Sequence, residues 1–207
     1  VDLIHRHIEP WGFGRKTGID LIGEVSGILP SSQWKLDRFK QPWHPGENMS
    51  IGIGQGYNSF SILQLALATA TLANRGVMMK PRLVQSIEDP NTGEVVKTEP
   101  QTLRTLDVDQ RAIDLVIEAM IDVNKSGTGA RIFGNVPYSV AGKTGTAQVI
   151  SIGQNEKYSA SRVAERHRDH SLYIAFAPAD KPQVALALIV ENGGFGAAAA
   201  APIARQV

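Results

Sequence analysis

Seven consecutive residues, Val184-Ala-Leu-Ala-Leu-Ile-Val190, carry no polar side chain. Strand side chains alternate between two faces, so a run like this is apolar on both. It reads as a strand in the middle of a sheet, with helices on either side. The stretch before it, Ser171 to Ala177, reads as another strand, joined by the turn Pro178-Ala-Asp-Lys-Pro182. Five residues are too few for a parallel crossover, so the pair is antiparallel. The predicted fold class is α+β, an antiparallel sheet flanked by helices.

A third strand precedes these two. In Val140-Ala-Gly-Lys-Thr-Gly-Thr-Ala-Gln-Val149, Val140, Thr144, Thr146 and Val149 favour extended backbone. The hydroxyls of Thr144 and Thr146, two apart, share one face, and Lys143 takes the other. Gly142 and Gly145 leave the backbone bare where another molecule could lie against it. An edge strand with a lysine, two hydroxyls and a bare backbone can receive a carboxylate and an oxyanion. The expected order is 140–149, 171–177, 183–191, paired antiparallel, with the strand of Lys143 outside. Read alone, Lys143-Thr144-Gly145 is more often a solvated strand end. The phosphate-loop reading of Gly142-Lys143-Thr144 fails, because that loop needs glycine at 137, where Pro137 stands, and a helix after the lysine.

The remainder frames this sheet. Residues 1 to about 9 have helical spacing in Leu3, Ile4 and Ile8, and Pro10 to Gly14 break it. From there to Gly56 the chain is dense in glycine, proline and tryptophan, and reads as a long irregular segment held by aromatics. Within it, Gly52-Ile-Gly-Gln-Gly56 reads as a close approach of backbone to backbone. Ser61 and Gln64 make a capping box for a helix to about Asn74. Its expected buried stripe is Ile62, Leu65, Ala66, Thr69, Leu72 and Ala73, and Gly76 stops it. Val77 to Ile87 reads as strand, and Asp89 to Gly93 as a turn into Glu94–Lys97. A second helix is expected over 108–124, with Ile113, Val116, Ile117, Met120 and Ile121 inward, ended by Ser126 to Gly129. Gly153 to His170 reads as a solvated polar helix, with His167 and His170 too few for a metal site. Ala197 to Val207 reads as a last helix, with Pro202 tolerable near its first turn.

At 207 residues the chain can hold one domain with a real core. Its net charge of +1 gives no electrostatic case for nucleic acid as a partner. Cysteine is absent, so disulfides and thiolate chemistry are excluded. No transmembrane run or signal peptide is visible. The first residue is Val1, not methionine, and both ends fall in helix-like sequence, so the chain reads as part of a longer protein.

Several stretches together resemble one family. They are Gly12-Phe13-Gly14 with Thr17 to Leu21, Glu24 and Gly27; Leu29-Pro30; Trp34-Lys35; Trp43 to Gly46; and Ile53 to Tyr57. They continue with Gln64, Ala73-Asn74, Gly76, Gly127-Thr128-Gly129, Lys143 to Thr146, and Phe176 to Pro178. In this order and spacing they resemble the transpeptidase domain of class B penicillin-binding proteins. Glu165 to His170 and Glu191 to Gly194 point to the elongation, or rod-shape, type, penicillin-binding protein 2. The resemblance implies residues 1–207 are the C-terminal portion of a serine penicillin-recognising fold. It implies a peptidoglycan D,D-transpeptidase that cross-links stem peptides through a serine acyl-enzyme and is acylated by β-lactams. It further implies catalytic roles for Lys143 and Thr146, and substrate binding by Thr144, Gly145 and Thr146. It implies no metal and no cofactor. Partners would be peptidoglycan stem peptides, β-lactam antibiotics and elongation-machinery membrane proteins. The place would be the periplasmic face of the bacterial inner membrane, with the anchor outside this chain.

One departure matters. The family has three motifs, and here only Lys143-Thr144-Gly145 occurs in its place. Ser32-Gln33-Trp34-Lys35 has the Ser-x-x-Lys spacing, but lies in a stretch that matches a different family region. The nucleophile, its lysine and the middle motif are therefore expected before residue 1, together with two N-terminal strands that would neighbour 183–191. A β-lactam sensor without turnover and a β-lactamase share this fold. A membrane anchor and pedestal ahead of residue 1 would separate the transpeptidase from both.

Overall fold

The computed structural model describes residues 1–150 and 163–207. Contacts gather into two compact units, Val1–Asp107 and Val108–Val207.

The first unit opens on helix α1 (Asp2–Ile8) and a 3-10 turn, Glu9–Trp11, closed by left-handed Gly12. The segment expected to be irregular contains two short helices, α2 (Ser32–Phe39) and α3 (Glu47–Gly52). Neither is long enough to show an apolar stripe. Only the Ser31 hydroxyl, accepting from the Trp34 N–H, marks a start. The aromatics do hold the segment: Trp34, Phe39, Trp43 and Tyr57 meet with ring centroids 5.3 to 6.0 Å apart. The glycines at 52–56 have a different role from the one expected. Nothing lies near the Cβ positions of Gly52 or Gly54, whereas Gly54 and Gly56 have φ of 78° and 70°. Backbone conformation requires Gly54 and Gly56, a Cβ at Gly56 would also lie 3.2 Å from Ser50 Cβ, and Gly52 meets neither requirement.

Helix α4 (Ile62–Ala73) starts with both arms of the Ser61–Gln64 capping box. Its buried residues are Gln64, Leu67, Thr69 and Thr71, so of the expected stripe only Thr69 is buried. The reason is polar satisfaction. The Gln64 amide donates to the carbonyls of Arg15 and Ser26, and the two threonines donate to carbonyls one turn back. Gly76, at φ 96°, ends the turn by donating to the Thr71 carbonyl. The expected strand 77–87 is two strands, β1 (Val77–Met79) and β2 (Ser86–Glu88). β2 pairs with β3 (Val95–Lys97) as the expected surface hairpin, and β1 pairs with β4 (Thr102–Thr105).

The second unit holds helix α5 (Gln110–Lys125), capped by Asp109, and the short α6 (Ala130–Phe133). The buried face of α5 is Ile113, Ile117, Met120 and Asn124. Val116, expected inward, is exposed, and Ile121 is only half-buried. The sheet has β5 (Ala141–Ala147), β6 (His170–Ala177) and β7 (Val184–Val190) in that order, antiparallel throughout, followed by α7 (Ala200–Ala204). The strand of Lys143 is outermost, as expected. β7 is not central: among the described residues it is an edge, none of its residues is fully buried, and Val184 is 51% exposed. Leu186, Leu188 and Val190 pack against the core around Tyr173 and Ala200. The apolar run states what β7 can bury. Among the described residues no strand pairs with its other edge.

The described part of the polar stretch ending at His170, residues 163–170, contains no α-helix. It holds a 3-10 turn, Glu165–His167, running into β6, while residues 151–162 lie outside the described residues. The Asn192 N–H donates to His170 Nδ1 at 2.9 Å, and the Asn192 amide donates to the Arg168 carbonyl. Among the described residues no group of three His, Cys, Asp or Glu side chains is placed to hold a metal.

One buried polar node joins helix to sheet. The Tyr173 hydroxyl donates to Asn124 Oδ1 at 2.8 Å, and Asn124 Nδ2 donates to the Val140 carbonyl at 3.0 Å. Burial pushes the Tyr173 phenol up to about 12. Its neutral form is therefore favoured in the fold. That contribution is whole below the ordinary value of 10.0 and is lost as pH rises through about 12. Tyr173→Phe leaves Asn124 Oδ1 buried without a donor, a loss of about 1–3 kcal/mol near neutral pH in denaturant unfolding. The gap between wild type and variant should narrow above pH 10. A gap constant to pH 12 would contradict the role given to the hydroxyl.

Candidate functional site

The candidate strand β5 is outermost and pairs on one side only among the described residues. Its register sets Lys143 opposite Ile174, Thr144 opposite Tyr173, Gly145 opposite Leu172 and Thr146 opposite Ser171. A Cβ added at Gly142 would strike the Tyr173 hydroxyl, and one added at Gly145 would lie 3.2 Å from Leu172 Cβ on the other face. By alternation Thr144 and Thr146 share the face of Tyr173, and Lys143 shares that of Gly145. This is the facing expected from the sequence. The Lys143 side chain is exposed, and its ammonium donates to the Thr144 carbonyl at 2.7 Å. The bare backbone at Gly145 has a nearer cause than a ligand, namely the packing of Leu172.

Sequence reasoning assigned no role to Thr128. Its hydroxyl lies 2.9 Å from that of Thr144, so the two form a hydrogen-bonded pair beside the strand. The turn after α5 delivers it there. A Cβ at Gly127 would stand 2.9 Å from Val123 Cα, and one at Gly129 would overlap Asn124 Oδ1. Only glycine fits on both flanks, which fixes Thr128 between them. The signal was present as Gly127-Thr128-Gly129, but nothing local said which strand the threonine would meet.

Ser32 and Lys35 are not brought together as a catalytic pair. Ser32 is the first residue of α2, and its hydroxyl and N–H both donate to the Asp2 carboxylate. Lys35 is 2% exposed and donates to both oxygens of Glu47, at 2.5 and 2.6 Å. Its ammonium also lies 5.7 and 5.9 Å from the rings of Trp43 and Tyr57. A lysine committed to a carboxylate is not free to take a proton from serine.

An antiparallel sheet whose edge carries Lys-Thr-Gly-Thr, backed by α5 and α7, defines the class. The chain belongs to the penicillin-binding protein transpeptidase domain family, which it matches over residues 4–207. Among its curated relatives is the peptidoglycan D,D-transpeptidase MrdA of Escherichia coli (strain K12), 40% identical over 200 residues. That match takes in 96% of this chain and 31% of the relative. The chain thus spans about a third of the length of the curated relatives it matches. Among solved structures, Pseudomonas aeruginosa penicillin-binding protein 2 in complex with WCK 5153 superposes with a TM-score of 0.82 at 35% identity. It is covered over 100% of this chain and 42% of that one. The Helicobacter pylori penicillin-binding protein 2 complex with MreC gives 0.79 at 28% identity, over 99% of this chain and 34% of that one.

The Glu47 carboxyl is held below its ordinary value, chiefly by the hydrogen bond from Lys35 and against desolvation, with further donors in the His44 N–H and Tyr57 hydroxyl. The pair's stabilisation is present above the ordinary 4.5 and is lost as pH falls through the lowered value. Lys35→Met should cost about 1–3 kcal/mol at neutral pH, because Glu47 loses its strongest donor but keeps the His44 N–H, the Tyr57 hydroxyl and partial access to solvent. The difference from wild type, measured by unfolding, should shrink in acid. An equal cost at all pH values would show that packing alone, not the ion pair, holds this segment.

Proposed function

We propose that the protein carrying this chain is a peptidoglycan D,D-transpeptidase of the elongation type, and that residues 1–207 form the C-terminal portion of its transpeptidase domain. The observation that carries the reading is an exposed Lys143 on an outermost strand, with Thr144 and Thr146 on its opposite face, in a chain 40% identical to a D,D-transpeptidase. The nucleophilic serine belongs to the part of the protein outside this chain. Its hydroxyl attacks the penultimate D-alanine carbonyl of a stem peptide. The C–N bond breaks, the leaving D-alanine takes the proton, and an ester remains on the serine. The amine of a neighbouring stem peptide then attacks the ester, forms the cross-link and returns the proton to the serine.

Four residues of β5 have a part in this. Lys143 supplies positive potential and orders the proton-transfer groups. The Thr144 and Thr146 hydroxyls hold the terminal carboxylate, and the Thr146 N–H is one oxyanion donor. Gly145 lets the substrate lie along the strand as an added β-partner. β-Lactams enter the same site and stop at the acyl-enzyme. No step calls for a metal or cofactor. In this reading the domain works at the periplasmic face of the inner membrane, beside the membrane proteins of the elongation machinery, and the MreC complex of the Helicobacter pylori relative supports that partnership. Among the described residues no helix is long and apolar enough to cross a membrane.

In the full-length protein, Lys143→Ala should slow acylation by penicillin about 10²–10³-fold, the loss expected when a transition-state charge contact is removed. Thermal stability should change little, because the side chain is exposed. Normal acylation of this variant would remove β5 from the site. The 207 residues alone should take no covalent label from a fluorescent penicillin, read by denaturing gel and intact mass. A stable mass increase mapped to Ser32 would overturn the assignment of the nucleophile elsewhere.

A further inference from the structure

Across the sheet face that carries Ser171 and Thr146 runs a strap, residues 192–199, between β7 and α7. It is fastened at both ends. On one side Asn192 is tied to His170 and Arg168, and the Gly194 N–H donates to the Asp169 carbonyl. On the other, the fully buried Ser171 hydroxyl donates to the Phe195 carbonyl and accepts from the Ala200 N–H, both at 3.0 Å. The Ala201 N–H closes the strap on the Gly196 carbonyl.

Gly196 lies directly over the Gly145–Leu172 rung of the sheet. A Cβ there would stand 2.5 Å from the Gly145 carbonyl oxygen, 2.9 Å from the Gly145 nitrogen, and closer still to the Leu172 carbonyl oxygen. All three obstacles are backbone, so no rotamer change relieves them. The strap cannot lift, being pinned by Ser171 and by Ala200 and Ala201, which are 0% exposed. β5 has one paired neighbour among the described residues, so it is the element that yields.

We propose that Gly196 is a positioning residue. Its missing side chain sets the height of the Gly145–Thr146 peptide, and with it the direction of the Thr146 N–H toward the oxyanion. This rests on the reading of β5 as the carboxylate and oxyanion strand. A methyl group at 196 displaces that peptide by about 1 Å, enough to cost up to about 10²-fold in a positioned reaction. Gly196 acts on the site through the backbone it covers, at Gly145 and Leu172.

The test uses the full-length protein and a penicillin, with Gly196→Ala, Ser171→Ala and Lys143→Ala compared in one assay. Two quantities are read: the acylation rate, and the infrared ester carbonyl band of the acyl-enzyme, which falls in frequency as oxyanion-hole bonds strengthen. Gly196→Ala is expected to fold, to acylate roughly 10–100-fold more slowly, and to shift the band upward. A wild-type rate, or a slowed rate with an unshifted band, overturns the proposal while Lys143→Ala remains slow. If Lys143→Ala acylates normally, the reading of β5 itself falls, and the proposal with it. Should Gly196→Ala not fold, Ser171→Ala decides, because it loosens the strap without inserting an atom. A slower rate with a raised band supports the proposal, and wild-type behaviour overturns it.

Discussion

The hydrogen bonds of Asn124 are what the second unit is assembled on. One side chain at the end of α5 takes the Tyr173 hydroxyl of β6 and donates to the carbonyl just before β5. A buried amide with all its partners in place is stabilising, and the same amide with one partner missing is a liability. The neighbours are chosen around it: Gly142 leaves space for the Tyr173 hydroxyl, and Gly129 leaves space for Asn124 itself. Two glycines that could be taken for flexible links are steric necessities of one polar contact. Through them the node also sets the turn that carries Thr128 to Thr144.

The same physics separates two lysines that look alike as letters. Lys35 stands three residues after a serine, the spacing of a nucleophile motif, yet it is buried, paired with Glu47 and covered by aromatic rings. Lys143 stands in a short string that is common on strand ends, yet it is the exposed cation of an outermost strand. Spacing describes what can come together. Burial and partners decide whether a charge is spent on structure or left for a ligand.

The candidate strand is also held from one face. β5 is held in its plane by β6 on one edge and by the Gly196 strap on one face. In the proposed reading the oxyanion donor is a peptide N–H, so the backbone of β5 has to be held in place. The strap meets that need with backbone against backbone, held by the Ser171 hydroxyl.

The sequence by itself determined the antiparallel sense of the last two strands, because a five-residue turn permits only an antiparallel return. It determined the capping box of α4, the facing of Lys143 against Thr144 and Thr146, and, through motifs in series, the family. These are local or periodic properties, readable from neighbours along the chain. The tertiary structure decided the rest. It placed α2 and α3 in a segment with no periodicity, because aromatic contacts and a buried ion pair compensate for weak helical pattern. It turned Gln64, Thr69 and Thr71 of α4 inward, because distant carbonyls and the helix's own turns satisfy them. It left β7 at an edge, because an apolar run reports the capacity to be buried and only a neighbouring strand can realise it. It brought Thr128 to Thr144 and Gly196 to Gly145 across 16 and 51 residues of chain. Contacts that distant are set by how the sheet and its coverings pack, and no single stretch of sequence records them.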